Sequence, residues 1–284
     1  MNPIKQYIKN YLNESLFDDE DTFLDPERDK KIVESWIKEN YEFSGGLKIS
    51  DDFIVDCDGL VVVENLNITS FTNGLFRWGK VSGYFDCSGC KNLKSLEGAP
   101  KNVCGYFSCS ECENLRSLKG SPEEVGWNFY CIGCKNLRSL EGAPRKIVNG
   151  TFDCSSCGKI KDLEGAPEVI SRDFNCSECE NLRSLKGAPK KVSGYFSCSE
   201  CENLRSLEGS PKEVNGDFYC SECENLRSLE GSPKEVNGDF CCYGCKNLRS
   251  LKGAPEFVGR EIWCCGCKKI KLTDSDYKKY KIKS

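Results

Sequence analysis

A Cys-x-x-Cys pair recurs along most of this chain, and its regular spacing constrains the fold more than any other feature. The first cysteines of successive pairs lie 22 residues apart, except for one step of 23 residues from Cys131 to Cys154 that carries an extra residue near Ile147 and Val148. Eight of the ten prolines keep the same phase. The nine pairs are Cys87/Cys90, Cys109/Cys112, Cys131/Cys134, Cys154/Cys157, Cys176/Cys179, Cys198/Cys201, Cys220/Cys223, Cys242/Cys245 and Cys264/Cys267. A repeat period of about 20 to 50 residues is typical of solenoid proteins.

Each repeat has room for strands and turns but no room for a helix of ordinary length. The unit reads G-x-F-x-C-S-x-C-x-N-L-x-S-L-x-G-[AS]-P-x-x-V-x, and its first part alternates with period two, so Phe107 and Cys109 share one face of a strand. Leu115 and Leu118 follow, and Gly-Ser-Pro or Gly-Ala-Pro then imposes a turn and an extended return. One coil cannot bury its apolar side alone, but stacked coils can. We therefore predict a mainly β solenoid.

The flanking segments differ from the repeats in composition. Near the N-terminus, apolar residues at helical spacing predict a short amphipathic helix, and an acidic linker follows. Asp25-Pro26 is a favourable helix start, and the second helix is predicted to run to about Asn40. The predicted divisions are residues 1–43 for the helical segment with its acidic linker, 44–86 for an N-terminal β cap and a degenerate first coil, 87–273 for the repeat solenoid, and 274–284 for a basic C-terminal tail.

Within the predicted cap, two short apolar runs flank Asp58-Gly59. Asp-Gly between such runs is typical of a tight β-hairpin, so we predict a hairpin that turns there. A cap of this kind is expected because a bare end coil exposes both its core and its strand edge.

Composition and charge disfavour several classes of function. The chain has no histidine, which removes imidazole general bases and mixed Cys/His metal sites, and its net charge is -4, so it lacks a global field that attracts nucleic acid. No run approaches the ~20 apolar residues that span a bilayer, and no segment resembles a signal peptide. There is no Gly-rich phosphate loop and no nucleophile motif. We expect a non-enzyme without a cofactor, with no nucleic-acid or membrane partner, in a reducing cytoplasm.

The 22 cysteines admit three interpretations. Free cysteine packs as a small hydrophobe, which suits the tight interior of a solenoid, and this is the interpretation we favour. Two adjacent pairs could instead form a four-cysteine zinc site, for example Cys198, Cys201, Cys220 and Cys223 and their equivalents, which would make the chain a zinc-stabilised array. Disulfide or redox chemistry is the third, but these pairs precede Asn-Leu and a turn, whereas a redox pair sits at a helix N-terminus.

A candidate binding face follows from the alternation of the strand. The residues on either side of each repeat phenylalanine point outward and form the surface that solenoids use for binding. These outward positions vary between repeats, whereas the core and turn positions of the unit stay the same. Toward the C-terminus the outward positions combine carboxylates with Tyr and Trp, which are frequent binding anchors. We predict that a basic protein or peptide binds there. The predicted partner-binding residues are Tyr195, Asp217, Tyr219, Asp239, Glu261 and Trp263.

The repeat resembles the leucine-rich repeat, L-x-x-L-x-L-x-x-[NC]-x-L, over roughly residues 65–273. In this resemblance the first Cys of each pair takes a core position of the strand, and the second takes the Asn/Cys position that closes it. The most similar variant is the short bacterial type, with Gly-Ala-Pro here replacing its Leu-Pro. The resemblance implies a right-handed, leucine-rich-repeat-like solenoid of about nine 22-residue coils that binds protein partners through its concave sheet.

Arrays of the type S-L-x-G-[AS]-P-x-x-V-x-G-x-F-x-C are also similar to proteins of tailed bacteriophages of gut bacteria. The start IKQYIKNYLNES is similar to head-targeting peptides of phage internal proteins that are cleaved after [LI]-x-E, and Leu12-Asn13-Glu14 fits that pattern. The resemblance implies residence in the cytoplasm of a bacterial host. The alternative it implies is packaging in the virion as an internal protein through a cleavable N-terminal peptide. The sequence leaves the oligomeric state open.

Overall fold

The computed structural model describes residues 26–284, and it confirms a mainly β solenoid. About ten coils with a spacing of about 22 residues stack along one axis, one more than the nine that the Cys-x-x-Cys pairs predict. The additional coil lies on the N-terminal side of the first pair, where Val61 and Val62 pair in parallel with Phe85 and Asp86. The predicted helix before the acidic linker lies outside the described residues. Within residues 26–284, no helix is long and apolar enough to cross a membrane.

The first strand of each coil joins one continuous long sheet, in which parallel strands stack in register with phenylalanine beside phenylalanine. One antiparallel strand covers its N-terminal edge. The twelve strands of the long sheet are β1 (Tyr41–Phe43), β4 (Val61–Val63), β6 (Phe85–Asp86), β8 (Phe107–Ser108), β10 (Phe129–Tyr130), β12 (Phe152–Asp153), β14 (Phe174–Asn175), β16 (Phe196–Ser197), β18 (Phe218–Tyr219), β20 (Phe240–Cys241), β22 (Ile262–Trp263) and β23 (Ile282–Lys283).

A second strand in each coil, built on the Pro-x-x-Val part of the repeat, forms the opposite wall. The sequence predicts only an extended return at this place, and the structure shows that the return pairs from coil to coil. The six-stranded sheet contains β2 (Leu47–Ile49), β3 (Ile54–Cys57), β5 (Arg77–Val81), β7 (Asn102–Val103), β9 (Glu124–Val125) and β11 (Lys146–Ile147). The five-stranded sheet contains β13 (Val169–Ile170), β15 (Lys191–Val192), β17 (Glu213–Val214), β19 (Glu235–Val236) and β21 (Phe257–Val258).

The single extra residue of the array divides this second wall into two sheets. β11 and β13 belong to different sheets, whereas β10, β12 and β14 continue the long sheet through the same coils without interruption. The division falls at the place near Ile147 and Val148 that the spacing predicts. Val148, which follows β11, is 41 % exposed. An insertion is therefore tolerated at a corner of the coil, where it shifts the register of one wall and leaves the other unchanged.

The core consists of side-chain columns that repeat from coil to coil. Eight phenylalanines from Phe85 to Phe240 stack with ring centroids 5.2–5.6 Å apart and ring planes within 5–11° of parallel. The two cysteines and the two leucines of each repeat are buried beside this stack, and the valine or isoleucine of most second strands closes the core. The predicted packing role of the repeat cysteines is confirmed.

Close stacking also explains the repeated glycine before the proline. Gly209 has a φ of 92°, and a Cβ added there would lie 2.4 Å from the backbone nitrogen of Lys186 in the preceding coil. Real Cβ atoms essentially never come this close to another atom, and the positive φ is itself unfavourable for other residues. The glycine is therefore required by the distance between coils.

The N-terminal cap combines a helix with two antiparallel strands. Helix α1 (Pro26–Asn40) is confirmed with the predicted end, and it buries Val33, Trp36 and Ile37 against the first coil. The Trp36 ring packs edge-on against Phe76 with centroids 5.8 Å apart. The helix therefore covers the apolar cross-section that a bare end coil would expose.

The predicted hairpin at Asp58-Gly59 is wrong. β3 and β4, which flank these residues, belong to two different sheets, and Asp58-Gly59 turns a corner of the first coil. The antiparallel pairs are β1 with β4 and β2 with β3, so one antiparallel strand covers the N-terminal edge of each wall. Asp-Gly supplies the same sharp change of direction in a corner as in a hairpin, which is why the local signal misleads.

The basic C-terminal tail caps the other end. Helix α2 (Asp274–Lys279) starts with a capping box between Thr273 and Asp276, and β23 then pairs in parallel with β22. The Tyr280 hydroxyl donates a hydrogen bond of 2.6 Å to the carbonyl of Pro255. The last strand of the repeat array therefore has a partner on its outer edge.

We predict that replacing Phe174 with alanine lowers the free energy of unfolding by about 3–5 kcal/mol, because it removes a fully buried ring from the middle of the stack. Urea unfolding followed by circular dichroism measures the change. The matched control is Phe257→Ala, which removes a ring that is 53 % exposed and should cost less than about 0.5 kcal/mol. Equal losses in the two variants would contradict the importance of the stack.

We also predict that Glu200→Gly raises the free energy of unfolding by about 1 kcal/mol, because Glu200 has a φ of 58° and glycine adopts this conformation without the Cβ penalty. Other coils already place glycine at the equivalent position, for example Gly244 with a φ of 68°. Glu202→Gly, at an exposed site outside the positive-φ set, is the control and should be neutral or destabilising. The same urea titration measures the free energies of unfolding of both variants. A loss of stability in Glu200→Gly would contradict the backbone strain inferred at Glu200.

Candidate functional site

The outer face of the long sheet carries six carboxylates and no basic side chain in the coils from β6 to β22. We call this surface the sheet face. In each coil it consists of the residue before the core aromatic or aliphatic residue of the strand (Phe, or Ile262 in the last coil), the residue after it, and the residue that follows the first cysteine of the pair. The acidic members are Asp86, Asp153, Asp173, Asp217, Asp239 and Glu261. Lys283, on the capping strand β23, is the nearest basic residue in the same row. The charged side chains of this surface are therefore all acidic along the repeats, and six of the nine coils carry one.

Three of these aspartates accept hydrogen bonds from the backbone of the next coil. The Oδ1 atom of Asp173 accepts from the Tyr195 N–H at 2.9 Å, and that of Asp217 accepts from the Asp239 N–H at 2.7 Å. Asp239 accepts in turn from the Glu261 N–H at 3.0 Å. The negative charges of the sheet face are thus held at fixed positions by the frame itself.

Tyr195, Asp217, Tyr219 and Asp239 come together as the sequence predicts. The Tyr219 hydroxyl donates a 2.7 Å hydrogen bond to Oδ2 of Asp217, and the rings of Tyr195 and Tyr219 meet edge to face with centroids 6.0 Å apart. Burial and the neighbouring Asp217 raise the pKa of Tyr219 well above its ordinary value, so its hydroxyl stays protonated and continues to donate. The four side chains form one rigid acidic and aromatic cluster.

Glu261 and Trp263 lie in the next coil, at the C-terminal edge of the repeats, and the Glu261 N–H joins this coil to Asp239 of the cluster. Their strand pairs with the capping strand, and Lys283 approaches Glu261 with Nζ 3.5 Å from Oε1. Trp263 is 36 % exposed. The structure therefore divides the six predicted residues into a central four and a terminal two, and the charge of Glu261 is partly compensated within the chain.

Sequence reasoning missed Tyr243, which is 43 % exposed on the coil between Tyr219 and Trp263. It occupies a position that is serine in most repeats, and the departure C-Y-G-C from C-S-x-C is the signal that could have found it. Its ring extends the aromatic surface beyond the two columns on which the prediction was based.

A second aromatic group at the N-terminal end of the sheet face was also missed. The rings of Tyr84 and Tyr106 stack with centroids 4.4 Å apart and planes within 9° of parallel, and Tyr130 approaches Tyr106 at 6.2 Å. Burial, followed by the charge of Asp86, raises the pKa of Tyr106 to about 12. Aromatic side chains therefore occur at both ends of the acidic surface.

The cysteine pairs do not reach the sheet face. From Cys112 onward, the thiol of each second cysteine donates to the carbonyl of the first cysteine in the preceding coil, with Sγ to O distances of 3.0–3.3 Å. All eighteen paired cysteines are buried, and all 22 cysteines of the chain are free thiols. The second cysteine therefore both fills space and satisfies a backbone carbonyl, which a hydrocarbon side chain of similar size would leave unpaired.

This geometry gives the zinc alternative no support. Cys201 and Cys223, two of the four cysteines assigned to a zinc site, donate at 3.2 Å to the carbonyls of Cys176 and Cys198. Their partners Cys198 and Cys220 are equally buried. In the part of the chain that the structure describes, no three side chains of the types that ligate metals are grouped to hold an ion. In the structure, the thiols of these paired cysteines are buried in the core, and those of the second cysteines donate hydrogen bonds to backbone carbonyls.

Comparison with protein-family models, with curated proteins and with solved structures gave no match. The functional conclusion is therefore carried by the sheet face alone, which is an extended, acidic and aromatic surface on a rigid frame.

We predict that the native protein reacts rapidly with N-ethylmaleimide at Cys104 and Cys265 alone, because these are the two exposed cysteines of the chain. The other cysteines are buried, which shields their thiols from the reagent. Burial also raises the pKa of several of them, for example that of Cys90 to about 12, and thiolate is the reactive form. Mass spectrometry of intact, modified protein counts the adducts. The double variant Cys104→Ser/Cys265→Ser should show no fast phase, and rapid labelling of the paired cysteines in native protein would contradict their placement.

Proposed function

We propose that this protein is a non-catalytic interaction scaffold that binds a basic protein or peptide through the sheet face. The observation that carries the proposal is the single sign of charge: the nine coils present six carboxylates there without one lysine or arginine. Surfaces of one charge sign attract and orient partners of the opposite sign.

The rigidity of the face supports binding without a large ordering cost. Asp217 and Asp239 are held by backbone N–H groups, and Tyr219 is held by Asp217, so these groups need no rearrangement to meet a partner. Pre-organised side chains lose little conformational entropy on association. Tyr and Trp add large contact areas with one polar end, which suits them to bind both the aliphatic stem and the charged head of Lys or Arg.

The dimensions of the face suit an extended partner. Neighbouring strands of a sheet lie about 4.8 Å apart, so the four coils from Tyr195 to Glu261 span roughly 14 Å. An extended chain rises about 3.3 Å per residue, so a peptide lying across these coils places alternate side chains roughly every 6.6 Å. A peptide with several basic residues could therefore meet Asp217, Asp239 and the flanking rings together.

The reduced thiol ladders favour a reducing compartment, which supports residence in a bacterial cytoplasm. Packaging into a phage head stays an alternative prediction. Its cleavage motif, Leu12-Asn13-Glu14, lies outside the described residues.

We predict that selection of a displayed library of random peptides on the immobilised protein enriches peptides with a net positive charge. The triple variant Tyr219→Ala/Asp239→Asn/Trp263→Ala should bind the selected peptides at least about tenfold more weakly, which corresponds to about 1.4 kcal/mol. Isothermal titration calorimetry with the purified peptides gives the affinities.

The matched control for this experiment is Glu235→Gln/Phe257→Ala, which removes one carboxylate and one exposed ring from the five-stranded sheet on the opposite wall. Its affinity should equal that of the unmodified protein. Enrichment of neutral or acidic peptides, or equal losses in the two variants, would count against the sheet face as the binding surface.

A further inference from the structure

A column of nine basic residues runs the whole length of the repeats, on the segment that connects the two walls. We call it the basic column. It occupies the variable position of N-L-x-S-L, which lies between two buried leucines in seven of the nine coils, and every member is exposed. Its members are Lys94, Arg116, Arg138, Lys161, Arg183, Arg205, Arg227, Arg249 and Lys271.

The basic column differs from its neighbours because it carries one sign of charge and stays unpaired. The column three positions further along the repeat mixes both signs and forms ion pairs between coils, such as Lys119 with Glu141 at 3.1 Å and Lys186 with Glu164 at 2.7 Å. The column that precedes it does the same, as in Lys135 with Glu113 at 3.2 Å. Among residues 26–284, no ion pair includes any member of the basic column.

The spacing of the basic column is fixed by the backbone that carries it. The N–H of Arg138 donates to the carbonyl of Arg116 at 3.1 Å, and that of Arg227 donates to Arg205 at the same distance. Such contacts hold adjacent coils at about 4.8 Å, so the nine cations span roughly 38 Å. Like charges at this distance repel each other, and that repulsion would be relieved by a ligand with a matching row of negative charge.

A row of serine hydroxyls accompanies the cations in seven of the nine coils, and Asp162 and Leu272 occupy the position in the other two. Ser184 and Ser228 each accept a backbone N–H, from Lys186 at 3.1 Å and from Glu230 at 3.0 Å, and neither hydroxyl donates a hydrogen bond within the described chain. A hydroxyl donor beside a guanidinium fork is a suitable combination for the oxygens of a phosphate.

We propose that the basic column binds the phosphate backbone of a single-stranded nucleic acid. Each guanidinium or ammonium would contact a phosphate, the serine hydroxyls would add hydrogen bonds, and the bases would face away from the protein. No aromatic ring lies in the basic column or in the serine row beside it, so binding would be electrostatic and independent of base sequence.

Two features favour this ligand over an acidic peptide or a duplex. A peptide carries its charges on flexible side chains, which lose rotamer entropy on binding. Four of the eight steps of the column are also bridged by a backbone hydrogen bond between coils, for example Arg183 N–H to the carbonyl of Lys161 at 3.0 Å, which leaves no continuous edge for a peptide strand. A duplex turns its phosphates away from a straight row, whereas a single strand can extend along it. The overall charge of -4 and the acidic sheet face disfavour nucleic acid elsewhere on the molecule, and the basic column is a local exception independent of the sheet face.

Fluorescence anisotropy with a labelled thymidine oligonucleotide of about 12 nucleotides tests the proposal across a salt titration. The logarithm of the affinity should fall with the logarithm of salt concentration by about 0.7 for each phosphate neutralised. The triple variant Arg183→Gln/Arg205→Gln/Arg227→Gln should bind at least about tenfold more weakly at low salt, and its slope should be shallower by about 2.

The control is Lys119→Gln/Lys186→Gln/Lys252→Gln, which removes the same charge from the neighbouring, ion-paired column. It should keep both the affinity and the slope, and circular dichroism confirms the fold of both variants. The proposal is overturned by absence of oligonucleotide binding at low salt, by an equal loss in the control, or by displacement of the oligonucleotide by polyglutamate at the same charge concentration as effectively as by unlabelled oligonucleotide.

Discussion

The distance between adjacent coils is the constraint on which the rest of this structure depends. Backbone hydrogen bonds hold neighbouring coils at the spacing of a β-sheet, about 4.8 Å, and each side chain must stack on its own copy at that distance. Flat rings can do so, which is why phenylalanines from Phe85 to Phe240 pack in parallel with centroids 5.2–5.6 Å apart. Because every coil lies at the same distance from the next, the same side chains fit at the same positions of each repeat.

The same distance explains the smaller residues of the repeat. A cysteine such as Cys223 fits the narrow interior and donates its thiol to the carbonyl of Cys198 at 3.2 Å. An asparagine such as Asn203 donates its amide to the carbonyl of Glu180 at 2.7 Å, at a corner where the backbone has no partner of its own. Cysteine in this protein is therefore a structural residue that combines apolar volume with a weak hydrogen-bond donor.

The stacking of similar coils also arranges the surface residues in columns that run along the axis of the solenoid. A charged position of the unit recurs in every coil and lies next to its own copies. Copies of the same sign repel each other, whereas copies of opposite sign form ion pairs. The chain uses mixed signs in the columns that pair Lys119 with Glu141 and Lys186 with Glu164, while the sheet face and the basic column each keep one sign. These two surfaces of opposite charge are the ones for which we propose binding.

Much of the fold could be predicted because the repeat period shows which residues of neighbouring coils stack on each other, and the apolar pattern of the unit shows which of them are buried. The solenoid, the buried cysteines and the place of the extra residue near Val148 follow from the spacing of the repeats, and helix α1 follows from Asp25-Pro26 and the apolar residues after it. The division of the second wall at the extra residue was not predicted. The second wall could not be predicted as paired strands, because its two-residue strands carry too little alternation. Asp58-Gly59 misled for a related reason, since a sharp turn has the same local chemistry whether its flanking strands pair together or enter different sheets.

The candidate site was predicted in its residues and only partly in its geometry. Alternation alone placed Tyr195, Asp217 and Tyr219 on one face, but their hydrogen bond and ring contact, and the separation of Trp263 toward the cap, depend on which coil lies beside which. By itself the sequence determined the period, the core and the identity of each column, because these can be read from the residues that recur at the same position of every unit. The tertiary structure decided which charges are paired and which surfaces stay free, because those depend on contacts between units 22 residues apart.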